Sequence, residues 1–366
     1  MTFNNVYFLN KFWKTTTLSD AVNNKKDLFS LFRLIAAFLV LYAHSYHIYG
    51  LGADPLTSQT GIYTGTFAVY VFFTISGFFI IKSAMERNIP QYVLARILRI
   101  YPALIVCNVV TIAIIIPISM DLDWHSFVLS IESKEYLKTN SILDTLKFTI
   151  VGVFDNNPDK TINGSLWTLP VEVRAYFIAM LIVMSGMANR KSVFNSLFFI
   201  AVFIHFRFPD FYSVIFPIPN STTLLFYFLL GSFLYVNRDV IPVSPILVVI
   251  TSIVIAKYRF ALPPIVLSML VSYLVVSSGY VARDFLNISL RNDYSYGCYL
   301  YAYPVSQLSY IFFSEYGFYY YLIFIVILTM TLSYMSWHLI ENTINKLARK
   351  KIFPKINSFI SSAAVK

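Results

Sequence analysis

The sequence predicts an all-α integral membrane protein, a bundle of about ten transmembrane helices with both termini in the cytoplasm. Three observations predict it. Hydrophobic residues make up 57% of the 366 and charged residues only 13%, with a mean hydropathy of +0.66; that is too little charge for a water-facing surface. Apolar runs of roughly 20 residues, long enough to span a bilayer as helices, recur along the chain. The Lys and Arg that give a net charge of +10 fall between those runs, mostly on one side once the runs are threaded alternately. This is the pattern of basic residues retained at the cytoplasmic face, and it removes the case for a nucleic-acid partner.

Residues 1–28 are polar, carry Lys11, Lys14, Lys25 and Lys26, and lack the apolar core of a secretory signal. They read as a cytoplasmic arm. The first crossing, Phe29 to Tyr49, is followed by Gly50 to Thr60, which has no basic residue and is placed outside. A second crossing runs from Tyr63 to Lys82, and its Ser76 and Gly77 allow a close helix approach. Lys82, Arg87, Arg96 and Arg99 form a cytoplasmic link to a third crossing, Ile100 to Ser119. Asp121 to Gly164 is a long external excursion, with a short amphipathic or re-entrant helix expected over Ile142 to Phe154 and a turn cluster at Asp155 to Asp159. A fourth crossing spans Leu166 to Met187, and six more are expected between Ser192 and Trp337. Residues 29–340 thus form one membrane domain, and 341–366 a basic cytoplasmic tail.

Polar groups at bilayer depth are costly and mark candidate sites. The first crossing carries Arg33 and His44, eleven residues apart. On a helix they share a face within about 20° and stand roughly 16 Å apart along the axis. His44 reads either as a histidine hydrogen-bonded across helices or as a general base for a hydroxyl; His47 reads as interfacial. Glu172 lies in the fourth crossing, two residues before Arg174. It either orients a partner such as His44 or belongs to a structural ion pair. Asn163 or Ser165 caps that helix. Cys107 and Cys298 lie in apolar runs as buried thiols, and no His, Cys or carboxylate set has metal-ligand spacing, so no metal is expected.

Six segments then carry a resemblance: Arg33 with His44, SGFFI from Ser76, RILRIYP from Arg96, NGSLWTLPVE from Asn163, SYGCYLYAYPV from Ser295 and WHLIE from Trp337. In this order they resemble the acyltransferase-3 family of membrane O-acyltransferases, over about Lys26 to Lys346. The resemblance implies about ten helices, an acyl coenzyme A donor, usually acetyl-CoA, reached from the cytoplasm, and no tightly bound cofactor. It implies His44 as catalytic base or acyl relay, and Arg33, Arg96 and Arg99 facing the donor and its phosphates; by the chemistry of other His-dependent sites, Glu172 would hold the tautomer of His44. The chemistry of such a transfer needs donors for an oxyanion, and the candidates are Asn163, the start of the fourth helix, Tyr176 or an arginine.

The chain departs from the family pattern at Ala302 and Tyr303, where a histidine is frequent, and at Asn342 and Thr343, which follow Glu341 in place of a frequent proline. Few residues follow the last matching motif, so the membrane domain is expected to complete the transfer itself. The implied acceptor is a hydroxyl of a surface or lipid-linked glycan such as O-antigen, capsule or exopolysaccharide. The implied location is the bacterial inner membrane, in contact with its lipid. The competing class is a proton-coupled transporter or flippase of a glycan precursor, since a ten-helix bundle with buried Arg, Glu and His also describes a carrier.

Overall fold

Apolar stretches with few helix breakers become helices because a chain in lipid must satisfy its backbone hydrogen bonds internally. A computed structural model of the protein describes residues 12–24, 27–120, 123–143, 145–208, 211, 220–286, 290 and 292–364. Lys11, Lys25, Lys26 and Asp121, named above, lie outside the described residues, as do the basic residues Arg291 and Lys366.

The long helices, in order, are α1 Phe29–Ile48, α2 Thr64–Glu86, α3 Ile89–Val110, α4 Thr168–Met184, α5 Lys191–Arg207, α6 Ser221–Val236, α7 Pro245–Tyr258, α8 Pro264–Phe285, α9 Ser295–Phe313 and α10 Phe318–Ser336. Each overlaps one of the apolar runs read as crossings, α3 only in its second half. Among the described residues, six helical stretches are long and apolar enough to cross a membrane, built on α1, α2, α3, α4, α8 and α10. The other four are shorter or more polar. The chain stays helical beyond α10, through a π turn at Trp337–Glu341 and on to Phe353–Ala364.

Two boundaries differ from expectation. α3 begins at Ile89 rather than Ile100, because the Asn88 side chain accepts from the Gln91 amide as a cap and Pro90 sits in the first turn. Arg96 and Arg99, three residues apart, share a helix face as their spacing suggests, but that helix is α3 itself. The helix expected over Ile142 to Phe154 lies earlier, at Ile131–Ile142, capped by Ser130 and ended by Leu143 in the left-handed region at φ 61°. Among the residues described from 145 to 154 there is no helix; the segment is irregular, and Phe154 has φ 57°.

The chain divides into two units. The first holds the described residues within Met1–Arg33, Val69–Glu86 and Arg174–Arg291. Its centre is aromatic: Phe29 lies 5.0 Å from Phe79, 5.1 Å from Tyr280 and 6.3 Å from Phe78, ring centre to ring centre. α2 and α6 meet backbone to backbone. A Cβ on Gly77 would stand 1.9 Å from the Phe228 carbonyl oxygen, and one on Gly231 2.1 Å from that of Thr74. The close approach expected at Gly77 is thus present, and Ser232 Oγ adds a hydrogen bond to the Gly77 carbonyl at 3.1 Å.

The second unit holds the described residues within Leu34–Ala68, Arg87–Val173 and Asn292–Lys366. Its inner helix is α9, in which every residue from Ser295 to Ser309 is buried. α9 packs along α10 at Gly297, where an added Cβ would lie 2.9 Å from Ser333 Cα. A smaller core of Ile112, Ile116, Tyr136, Ile150, Val153, Phe154 and Ile162 seats the excursion between α3 and α4. Cys107 and Cys298 are buried free thiols, as expected.

Gly77→Ala is expected to destabilise the protein by the upper end of about 1–3 kcal/mol, because the new methyl meets backbone that cannot rotate away. Thermal denaturation in detergent measures this, and an unchanged midpoint would exclude the backbone contact.

Candidate active site

The site grows from the polar face of α9. Leu300, Tyr303 and Gln307 are spaced three and four apart, so one side of a buried helix presents a carbonyl, a phenol and an amide. The segment 157–168 docks on that face and meets its demands for hydrogen bonds. Gln307 Nε2 donates to the carbonyls of Asp159 (2.8 Å) and Thr161 (2.6 Å), and Asn157 Nδ2 donates to Gln307 Oε1 (2.7 Å). Asn163 Nδ2 donates to the Leu300 carbonyl at 3.0 Å, while its Oδ1 accepts from the Ser165 amide. Tyr299 donates to the Ser165 carbonyl at 2.7 Å and pairs with Thr168 Oγ1 at 2.6 Å. Asn163 thereby caps the short 3-10 turn Gly164–Trp167 that leads into α4.

Tyr303 lies between this segment and His44. Its hydroxyl donates to Asp159 Oδ2. Its ring edge is crowded by Gly164, where a Cβ would come within 2.5 Å of Tyr303 Cε2. Its ring meets the His44 imidazole edge to face, with centres 4.9 Å apart and planes at 65°. Tyr63, just before α2, flanks His44 on another side at 6.4 Å. The imidazole is deeply placed yet keeps an accessible surface. The charged groups whose fields reach it are His47 and Asp159; Glu172 is not among them within the described residues. His47 Nε2 stands 3.3 Å from Asp159 Oδ2, and its side chain is 60% exposed.

Asp159 lies outside the membrane-length helices. Its burial alone would push its pKa up, but hydrogen bonds from Tyr303 and Thr161 and the charge of His47 outweigh this. They hold the carboxyl below its ordinary value.

The other expected residues are placed as follows. Arg33 sits eleven residues before His44 on the unbroken α1, partly buried, and its Nε donates to the Phe29 carbonyl at 3.4 Å. Glu172 is half-buried in the first turns of α4, and its charge reaches the Tyr299 hydroxyl. Tyr176 belongs to the first unit, buried against Phe228 with ring centres 6.5 Å apart. Arg96 lies over the Tyr92 ring at 5.8 Å. Arg99 is held by Glu341 at 2.7 Å and Asp293 at 3.1 Å, over the Tyr296 ring at 5.2 Å. The pairing gives the buried Glu341 carboxylate a cationic partner.

Asp159 and Tyr303 escaped the sequence reading. Asp159 stood there only as one member of a turn cluster, and Tyr303 as a departure from a motif. Their sequence separation of 144 residues leaves no local signal of the bond between them.

The family model of the acyltransferase domain, of the acyltransferase-3 type, matches residues 28–338. An O-acetyl transferase of Shigella phage Sf6 is 29% identical over 340 residues, an alignment covering 87% of this chain and 96% of that relative. No solved structure matches the chain.

The depressed pKa of Asp159 gives a stability test. Its contribution is complete above the unfolded carboxylate pKa of about 3.9 and is lost as pH falls through the lower folded value. Asp159→Asn is expected to be less stable than wild type by about 1–3 kcal/mol at neutral pH. The gap should close as pH falls below about 4. Denaturation in detergent across that range measures it, and a gap independent of pH would exclude an ionised carboxylate here.

Proposed function

Since the chain belongs to the acyltransferase-3 family, we propose that it moves an acetyl group from acetyl-CoA to a hydroxyl of a surface or lipid-linked glycan, with His44 as general base. The family match and the apolar helices make it a multi-pass membrane acyltransferase. The donor, the acceptor and the role of His44 are the further content of the proposal. What supports that role is the partly buried His44, packed between the Tyr63 and Tyr303 rings in the second half of α1.

In the proposed reaction His44 takes the proton of the acceptor hydroxyl as the oxygen attacks the thioester carbonyl. The tetrahedral oxyanion then collapses, the C–S bond breaks, and the imidazolium returns the proton to the departing sulfur. Products are the glycan ester and free coenzyme A, with no net proton gained or lost. Asn163 and Tyr176 are the proposed oxyanion donors, and Glu172 contributes charge on the proposed catalytic side. Arg33, Arg96 and Arg99 are assigned to the donor and its phosphates, for which guanidinium offers paired charge-assisted bonds. Arg99 takes such a part by exchanging carboxylate for phosphate. The distribution of basic residues supports ten crossings with both termini in the cytoplasm, and the proposed membrane is the bacterial inner membrane.

Purified protein given acetyl-labelled acetyl-CoA and a lipid-linked glycan is expected to release free thiol and label the glycan. His44→Ala should lower the rate by about 100-fold or more while leaving the protein folded and monodisperse. Wild-type protein that moves glycan across a vesicle membrane but neither frees thiol nor gains labelled product would be a carrier, and the proposal would fail.

A further inference from the structure

Among the described residues, the His44 side chain makes no hydrogen bond to another protein group. A histidine used as a base is ordinarily turned and held by a carboxylate bonded directly to one ring nitrogen. Here both nitrogens are left open, and orientation falls to the rings packed around the imidazole. Tyr303 is the closer of the two, and it is itself immobilised. It is 3% exposed, its hydroxyl is bound to Asp159, and its edge abuts the backbone at Gly164. Asp159 is fixed in turn, its carbonyl by Gln307 Nε2 and its Oδ1 by the Thr161 amide at 2.8 Å.

We infer that Tyr303 and Asp159 are positioning residues for His44, the carboxylate acting one ring removed: Asp159 fixes the Tyr303 hydroxyl, and the Tyr303 ring fixes the imidazole. The inference rests on the proposed role of His44 in acyl transfer. It gives the excursion between α3 and α4 a part in catalysis, because Asp159 belongs to that segment and not to a long helix. It also explains why Gly164 lacks a side chain: any Cβ there would push the tyrosine ring out of place.

A purely structural role, tying the segment to α9, predicts different behaviour. Loss of such a tie would lower stability and disturb both substrates together. Loss of positioning would lower kcat and leave donor binding alone.

The test uses full-length protein in detergent with the substitutions Tyr303→Leu, Tyr303→Phe, Asp159→Ala and Asp159→Asn. Two readouts are taken: steady-state transfer from labelled acetyl-CoA, and the rate at which diethyl pyrocarbonate modifies His44, followed by mass spectrometry. Tyr303→Leu and Asp159→Ala are expected to lower kcat about 10- to 100-fold, the usual range for removing a group that orients a functional histidine. KM for acetyl-CoA should stay within about twofold, since no donor contact is removed. Tyr303→Phe keeps the ring and should retain more activity than Tyr303→Leu, and Asp159→Asn more than Asp159→Ala. Modification of His44 should be faster in Tyr303→Leu than in wild type. Transfer by Tyr303→Leu and Asp159→Ala within about twofold of wild type in kcat, with His44→Ala inactive, would overturn the inference. If wild type transfers no acetyl group yet His44 modification still quickens in Tyr303→Leu, the positioning stands and the proposed reaction falls. Equal modification rates in wild type and all four variants would overturn the positioning itself.

Discussion

The second unit depends on one constraint: the polar groups buried with α9 must find partners, and the segment 157–168 provides them. A helix buried along its length has no water to turn to, and each unmet donor or acceptor there costs several kcal/mol in lipid-like surroundings. Gln307, Tyr303, Tyr299 and the Leu300 carbonyl meet that segment with six hydrogen bonds or more, to its backbone or to the side chains of Asp159, Asn163 and Thr168. Irregular backbone is tolerated at such depth only when protein satisfies it. The same bonds set the start of α4 through Asn163 and the seat of Asp159 through Gln307. One docking event thus fixes both the helix that carries Glu172 and the carboxylate that faces Tyr303.

The parts of this arrangement legible in the sequence are those with a local cause. Apolar length marked the six membrane-length helices, glycine at position 77 marked a close crossing, and Asn163 ahead of an apolar run marked a cap. Arg33 and His44 stood out because charge and imidazole are rare inside apolar runs. Two local signals were available and misread. Asn88 followed by Pro90 is a helix start, yet the basic residues beyond it suggested a link. Ser130 followed by Glu132 is another, hidden by the greater apolarity of the stretch beyond Ile142. What no local pattern conveys is pairing across the chain. Arg99 meets Glu341 at a separation of 242 residues, and Tyr303 meets Asp159 at 144.

These two long-range pairings treat charge differently. Arg99 is surrounded: two carboxylates and a tyrosine face fix its guanidinium, with Glu341 only 2% exposed. Removing one member of such a cluster leaves a buried charge uncompensated, which is why buried ion groups fix register between the elements they join. It ties α3 to the stretch before α9 and to the π turn after α10. His44, by contrast, is approached by charge without being bonded to it. Asp159 reaches it through Tyr303, and His47 shares that carboxylate at the exposed edge.

That difference suits the proposed chemistry. A guanidinium clamped by carboxylates is held by strong directional bonds and gives them up only to another anion, such as the phosphate assigned to it. An imidazole that must take a proton from one substrate and hand it to the sulfur of another gains from having its nitrogens unengaged. Ring packing provides orientation without occupying either nitrogen, since an edge-to-face contact fixes the plane of the ring through its shape and quadrupole. Its weakness is low stiffness, as such a contact is worth only about 0.5–1.5 kcal/mol beyond its burial. The stiffness is regained one step back, where Tyr303 is held by an ionised carboxylate at its hydroxyl and by backbone at its edge. The hydrogen bonds that orient the site therefore sit beside the imidazole and not on it, leaving its nitrogens to the substrates.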